Sequence, residues 1–190
     1  CSSLIARNNF SETIENEILL IDMEDDLDIN DYEELNEISD SFGLWGVINV
    51  APKTWKRLED GALVLFFANR KAFAAATIIK KFVNASLSSK LWGEVNDGST
   101  YKHMYAVKDL QYVDIPQKLI NSNLRYQENF IVQRFQVLDK GPSSTILSAI
   151  GQMNVKKDNL SKRGSGWRKC DSCDVTFLES ELENNICRTC

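Results

Sequence analysis

Two apolar segments joined by a short polar turn occupy the middle of the chain and restrict its fold more than any other feature. The segment "ALVLFFAN" begins at residue 62, and "KAFAAATIIKKF" follows after a turn at Asn69, Arg70 and Lys71. Short apolar runs bounded by turn residues are typical of buried strands, so the pattern predicts a β-hairpin. The apolar run at 62–68 is far shorter than the roughly 20 residues of a membrane-spanning helix. No membrane partner and an intracellular location are therefore expected.

Further strands and short helices are predicted on both sides of the hairpin. The predicted strands are "GVINV" at 46–50, "YKHMYAVKDLQYVDIP" at 101–116 and "FIVQRFQVL" at 130–138. Short helices are predicted for "PKTWKRLED" at 52–60, for "IPQKLINSNL" at 115–124 and near 143–153. A strand-rich body with few helices indicates an α+β fold, with a small, strongly curved sheet or barrel and short flanking helices.

Charge is distributed unevenly along the chain. Residues 1–40 contain 13 acidic side chains and a single basic one, Arg7, whereas residues 41–190 contain 21 basic and 14 acidic side chains. The first 40 residues are predicted to form an acidic arm with one or two short helices, one of them capped at Asn30-Asp31 and running through Ser39. The remaining chain is moderately basic, which suits a polyanionic partner but is also compatible with an ordinary solvated surface.

Four cysteines lie in the last 21 residues, "CDSCDVTFLESELENNICRTC". Two residues separate Cys170 from Cys173 and Cys187 from Cys190, and 13 residues lie between the two pairs. This spacing directs both thiolates of a pair to one ion, so we predict a structural zinc module at 170–190 with one zinc per chain. Two disulfides or a redox-active pair are the alternatives. Such a site has no vacant position for water, which predicts a role in folding.

Residues that would form a catalytic centre are scarce. His103 is the only histidine, and the nine glycines do not form a phosphate-binding loop. The sequence therefore shows no catalytic constellation. Because the chain begins with Cys1, we interpret it as a piece of a longer protein, in which any nuclease or NTPase activity would lie elsewhere.

The tripeptide Leu-Trp-Gly occurs twice, at 44–46 and at 91–93, each time at or beside a predicted strand edge. Between and after the two copies run the "DGALVLFF" strand and "YKHMYAVKDLQYVDIP". This order resembles the YTH and EVE-like domains of the PUA superfamily over residues 43–138. The strongest likeness is to the EVE-like domains of modification-dependent restriction proteins of the McrB type. The resemblance implies a PUA-like domain at 41–140.

In that family a modified base leaves its stack and enters a cage of aromatic side chains. The resemblance assigns Trp45 and Trp92 to the two cage tryptophans, although both are equally compatible with ordinary core positions. YTH readers often carry a third tryptophan where this chain has Asp97, so Tyr101 or Phe73 is the candidate for the third wall. Asn49 and Asp97 complete the predicted base-binding set.

Cationic side chains would hold the nucleic-acid backbone. In the predicted domain at 41–140, which we call the body, the candidates are Lys71, Lys80, Lys81 and Lys102. In the helix and basic linker at 141–169, they are Lys156, Lys157, Lys162 and Arg163. The predicted function is recognition of a modified base in DNA, as the specificity part of a restriction or defence protein with further domains or subunits. A YTH-like RNA reader and a zinc-containing protein-interaction adaptor are the alternatives.

Overall fold

The computed structural model describes residues 4–48, 50–95, 97–132, 134–139 and 141–148, together with the backbone of four short strands between 167 and 187. The chain divides into two compact units. The first contains Ser3–Val64 and Ala75–Gln111, and the second contains Leu65–Ala74 and Tyr112–Cys190. In the described part of the chain, no helix has the length and hydrophobicity that crossing a bilayer requires.

Helices and strands are interspersed along the chain. The helices are α1 (Leu4–Phe10), which continues into a π-helical turn (Ser11–Glu15), a 3-10 turn (Leu20–Met23), α2 (Ile29–Asn36), α3 (Pro52–Arg57), α4 (Ala85–Trp92), α5 (Gln117–Asn123) and α6 (141–148). The strands are β1 (Ile18–Leu19), β2 (Ser41–Val47), β3 (Leu63–Ala68), β4 (Lys71–Val83), β5 (His103–Pro116), β6 (Trp167–Lys169), β7 (Thr176–Leu178), β8 (Leu182–Glu183) and β9 (Ile186–Cys187).

A five-stranded sheet with the order β1-β2-β5-β4-β3 forms the centre of the fold, which confirms the predicted α+β class. The predicted hairpin is β3–β4. Its two-residue turn has positive φ at Asn69 (49°) and Arg70 (58°), the geometry of a type I′ turn that matches the twist of the strands. The predicted helices at α3 and α5 and the long strand β5 are also confirmed.

The antiparallel pairing of β2 with β5 divides their side chains between two faces. Trp45 lies opposite Tyr105, Gly46 opposite Met104 and Val47 opposite His103. Since successive strand residues point to opposite faces, Gly46 and Met104 share one face, and Trp45 shares the other with His103. On the Gly46 face is a core of buried side chains: Leu20, Met23, Leu35, Phe42, Leu44, Phe82, Leu87, Met104 and Ala106. We call this the Gly46 face, and the other the Trp45 face.

The acidic segment that we predicted as an arm packs against the sheet over its described residues, 4–40. Its strand β1 pairs with β2, and Leu20, Met23 and Leu35 are at most 2% exposed. Burying such a side chain contributes about 1.5–3 kcal/mol, which favours packing over extension into solvent. These apolar side chains are not conspicuous in the sequence, because carboxylates surround them. Helix α2 starts after the Asp28 cap, whose carboxylate accepts from the Asn30 N–H at 2.9 Å, and it ends at Asn36 rather than Ser39.

The predicted strand at 130–138 is also wrong, because the described residues 130–132 and 134–138 are not in a strand. The carbonyl of Phe130 instead accepts hydrogen bonds from the buried side chains of Gln117 and Asn121, both at 2.8 Å. Ile131 is 43% exposed and so gains little from a sheet. Side-chain donors of α5 therefore take the place of the backbone hydrogen bonds that a neighbouring strand would supply.

Candidate nucleic-acid interface

The end of β2 passes directly beneath two aromatic side chains on the Gly46 face. A Cβ atom on Gly46 would overlap Trp92 Cζ3, and it would lie 2.5 Å from the Tyr101 carbonyl oxygen and 2.7 Å from Tyr101 Cβ. Real Cβ atoms do not approach other atoms so closely. Glycine at position 46 is therefore what allows the second Leu-Trp-Gly unit to pack on the first.

Trp92 and Tyr101 form an edge-to-face pair on this face, with ring centroids 5.9 Å apart and an interplanar angle of 82°. Both are only half-buried. The indole nitrogen Nε1 of Trp92 is buried and has no acceptor among the described residues. A buried donor without an acceptor costs about 1–3 kcal/mol, so this N–H is a candidate to bind a ligand.

Trp92 is the last residue of α4, a helix that the sequence pattern did not predict. Asn84 caps it by accepting from the Leu87 N–H at 2.9 Å, and Gly93 ends it with φ of 70°. The second Leu-Trp-Gly unit is therefore a helix end, whereas the first is part of a strand. The two glycines serve different purposes: close approach at Gly46 and a positive φ at the helix end at Gly93.

A second aromatic pair lies on the Trp45 face of the same strand end. The ring of Trp55, in α3, is 5.1 Å from that of His103 at an interplanar angle of 69°. Lys81 fixes the end of this short helix, because its Nζ donates to the carbonyls of Trp55 at 3.2 Å, of Lys56 at 3.3 Å and of Leu58. Trp55 is half-exposed, and sequence analysis had not included it in the site.

His103 is a neutral polar group at this position. Burial, followed by the charge of Lys102, lowers the pKa of His103, so its imidazole is uncharged at neutral pH. Its Nδ1 is buried without a hydrogen-bond partner among the residues the structure describes. Trp92 Nε1 and His103 Nδ1 are therefore two unsatisfied polar atoms beside the same strand end.

Trp45 does not join Trp92 on one face of the sheet, which corrects the predicted pairing of these two tryptophans. Trp45 is half-buried against Phe10, with ring centroids 6.2 Å apart, on the face opposite Gly46. The alternation of strand side chains makes this unavoidable once Gly46 receives Trp92. Trp55 and Trp92, rather than Trp45 and Trp92, flank the end of β2.

The remaining predicted base-binding residues occupy different environments. Tyr101 is beside Trp92, as described above. Phe73 is only 2% exposed in the interior and offers almost no surface to a ligand. Asp97 is exposed, and hydrogen bonds from the Ser99 hydroxyl at 2.6 Å and N–H at 2.9 Å lower the pKa of Asp97 and order its loop. Asn49 follows β2 directly but lies outside the described residues.

Most predicted backbone-binding lysines of the body are engaged within the protein. Lys80 pairs with Asp31 at 3.4 Å and with Glu34, and Lys71 pairs with Asp114 at 3.2 Å. Lys81 holds α3 as described. Lys102 is exposed next to His103. The linker candidates Lys156, Lys157, Lys162 and Arg163 lie outside the described residues.

The four clustered cysteines belong to the C-terminal segment, of which the structure describes the backbone of four short strands. Cys170, Cys173 and Cys190 lie outside the described residues, and only the backbone of Cys187 is described, in β9. Within the described part, no group of three or more His, Cys, Asp or Glu side chains could hold a metal ion. Strands β6 and β7 pair antiparallel, as do β8 and β9.

The sheet and its flanking helices define an α+β domain. No protein-family model and no curated protein matches the chain. A solved structure titled "N-terminal domain of Thermococcus Gammatolerans McrB bound to m5C DNA" is similar, with a TM-score of 0.51 and 16% sequence identity over 76% of this chain and 90% of that one. The similarity supports a McrB-type fold, as the sequence resemblance implied.

Proposed function

We propose that this domain recognises a methylated base in DNA, as the specificity module of a modification-dependent restriction or defence protein. One observation carries the proposal: the pairs Trp92–Tyr101 and Trp55–His103 flank the end of β2 from its two faces. In this proposal, a flat base bound beyond the strand end contacts one indole from each pair. The similar McrB domain was solved with m5C DNA, which favours DNA over RNA as the ligand.

Stacking can offset the cost of removing the base from the duplex. Each base–aromatic contact contributes about 1–3 kcal/mol, and unstacking and unpairing cost a few kcal/mol. Two tryptophans therefore roughly balance the flip. The phosphate contacts then provide the net affinity, and the linker lysines and arginine are proposed to contribute to them.

The two unsatisfied polar atoms supply a basis for selectivity. Trp92 Nε1 donates a hydrogen bond, and the neutral imidazole of His103 can either donate or accept at Nδ1. A base whose edge pairs with both atoms removes their desolvation cost, whereas one that does not leaves them buried and unpaired. A buried methyl group adds only about 0.8 kcal/mol, so hydrogen bonding and shape have to contribute most of the selectivity.

Binding of the whole chain to matched oligonucleotides tests this proposal. The panel contains duplex DNA with and without 5-methylcytosine or N6-methyladenine, and RNA with and without N6-methyladenine. We expect one methylated duplex to bind at least about tenfold more tightly than its unmodified control and to quench tryptophan fluorescence. Equal affinity for all duplexes contradicts the proposal. Selective binding of methylated RNA would support the RNA reader, and no binding to nucleic acid would favour the adaptor.

We further propose a structural zinc site formed by Cys170, Cys173, Cys187 and Cys190. The first pair falls in the connection between the antiparallel strands β6 and β7, and the second begins at the end of β9. Four thiolates form a complete tetrahedral ligand set with no position for water, so the ion would stabilise the C-terminal segment rather than react.

Elemental analysis is expected to give one zinc per chain, with Cys1 not required. Cys1→Ser is the matched control and should leave the stoichiometry unchanged, whereas Cys173→Ser should lower it because a three-thiolate site binds zinc more weakly. Less than half an equivalent of zinc in metal-replete protein, or disulfides among these four cysteines, would overturn the assignment.

A further inference from the structure

The lysines of the first compact unit fall into two groups. In one group, each ammonium is engaged by groups of the protein itself. Lys80 binds Asp31 and Glu34, Lys81 binds the carbonyls at the end of α3, Lys90 binds Asp26, and Lys108 binds Glu17 at 2.9 Å. In the other group, Lys53, Lys56 and Lys102 are exposed and make no ion pair with any described residue.

All three unpaired lysines are close in sequence to the members of one aromatic pair. Lys53 and Lys56 belong to α3, the helix that carries Trp55, and Lys102 directly precedes His103. The rings of Trp55 and His103 are 5.1 Å apart, which brings the two chain segments together. Helix α3 contains no acidic residue; Glu59 and Asp60 come only after it ends.

We propose that Lys53, Lys56 and Lys102, which we call the α3 lysine surface, bind the phosphates that flank the flipped base. This inference rests on the proposed function and specifies how the domain holds the DNA backbone. The α3 lysine surface replaces the predicted Lys80 and Lys81 in that role. The ammonium of Lys80 is already paired with two carboxylates, and that of Lys81 already donates to backbone carbonyls.

Two physical reasons favour the binding of phosphates by these exposed lysines. An exposed ammonium without an internal partner loses no ion pair when it binds, whereas Lys80 would first have to release two carboxylates. The uncharged His103 and the indole of Trp55 also leave the sugar–phosphate strand free to pass close to the base site without repulsion. Phosphate contacts position the nucleic acid but do not read its modification.

The salt dependence of DNA affinity distinguishes phosphate contacts made by this surface from general effects of charge. Each phosphate contact to duplex DNA contributes about 0.9 to the slope of log K against log salt concentration. The double variant Lys53→Gln/Lys56→Gln is expected to lower the magnitude of this slope by roughly 2, and Lys102→Gln by roughly 1. Affinity for methylated and unmethylated duplex should fall by the same factor, so selectivity is preserved.

The control is Lys90→Gln/Lys118→Gln, which removes the same charge at two other exposed lysines and should leave the slope within about 0.5 of the parent. Melting temperatures verify that every variant is folded. An unchanged slope in Lys53→Gln/Lys56→Gln, or an equal decrease in the control, overturns the α3 lysine surface while leaving base recognition intact. If the parent itself does not discriminate methylated from plain duplex, the proposed function fails instead.

Discussion

Replacing Trp55 with alanine is expected to weaken binding of the methylated duplex by roughly tenfold to a hundredfold, because one stacking face worth about 1–3 kcal/mol is lost. The half-exposed indole lies on a short helix that Lys81 holds through backbone carbonyls, so the fold should survive. Trp92→Ala should lose a similar amount of affinity. Titration of fluorescently labelled methylated and unmethylated duplexes measures both effects.

Trp92 also packs against the core, so its alanine variant is expected to lose stability as well. Trp92→Phe fills most of the space and separates the two effects: it should retain most of the stability but lose the indole N–H and with it part of the selectivity. The Trp45→Ala variant is the control, because Trp45 packs against Phe10 and belongs to neither of the two pairs that flank the end of β2. It should lower the melting temperature and leave the affinity ratio of methylated to plain duplex unchanged.

Two results would contradict this site. The first is full affinity for the methylated duplex in Trp55→Ala, which would show that Trp55 does not stack on the base. The second is a loss of discrimination in a folded Trp45→Ala variant, which would restore the original pairing of Trp45 with Trp92. Either result can be distinguished from unfolding by the melting temperature of the same preparation.

Gly46→Ala is expected to destabilise the domain by about 3 kcal/mol, the upper part of the range for overpacked sites. The new methyl group would overlap Trp92 and the backbone carbonyl of Tyr101, and the backbone has little freedom to move aside. For a chain of this size the expected fall in melting temperature is roughly 6–12 °C. Thermal unfolding followed by circular dichroism measures it.

Displacement of Trp92 should also reduce the affinity for methylated DNA in Gly46→Ala molecules that remain folded. The control is Gly141→Ala, where an added Cβ meets no atom within 4 Å and stability should be unchanged or slightly higher. A Gly46→Ala variant with the melting temperature of the parent would show that Trp92 does not pack on β2 in solution.

The local elements were largely predictable from sequence because their signals are local. Apolar runs around Asn69 and Arg70 predicted the β3–β4 hairpin, and the spacing in "PKTWKRLED" predicted α3. Helix α4 was missed because its apolar positions are few and its Asn84 cap was not recognised. The segment 130–138 has a strand-like composition, but the buried amides of Gln117 and Asn121 bind the Phe130 carbonyl instead.

The candidate site could be assigned only from the tertiary structure, because the side chains that contact one another belong to residues that are far apart in the sequence. The sequence alone determined which side chains are available: four tryptophans, one histidine, scattered lysines and two cysteine pairs. Only the register of β2 against β5 decided that Trp45 and Trp92 lie on opposite faces and that Trp55 meets His103. Likewise, only the fold of the acidic segment decided which lysines are neutralised, because an ion pair such as Lys80–Asp31 joins residues that are far apart in the chain.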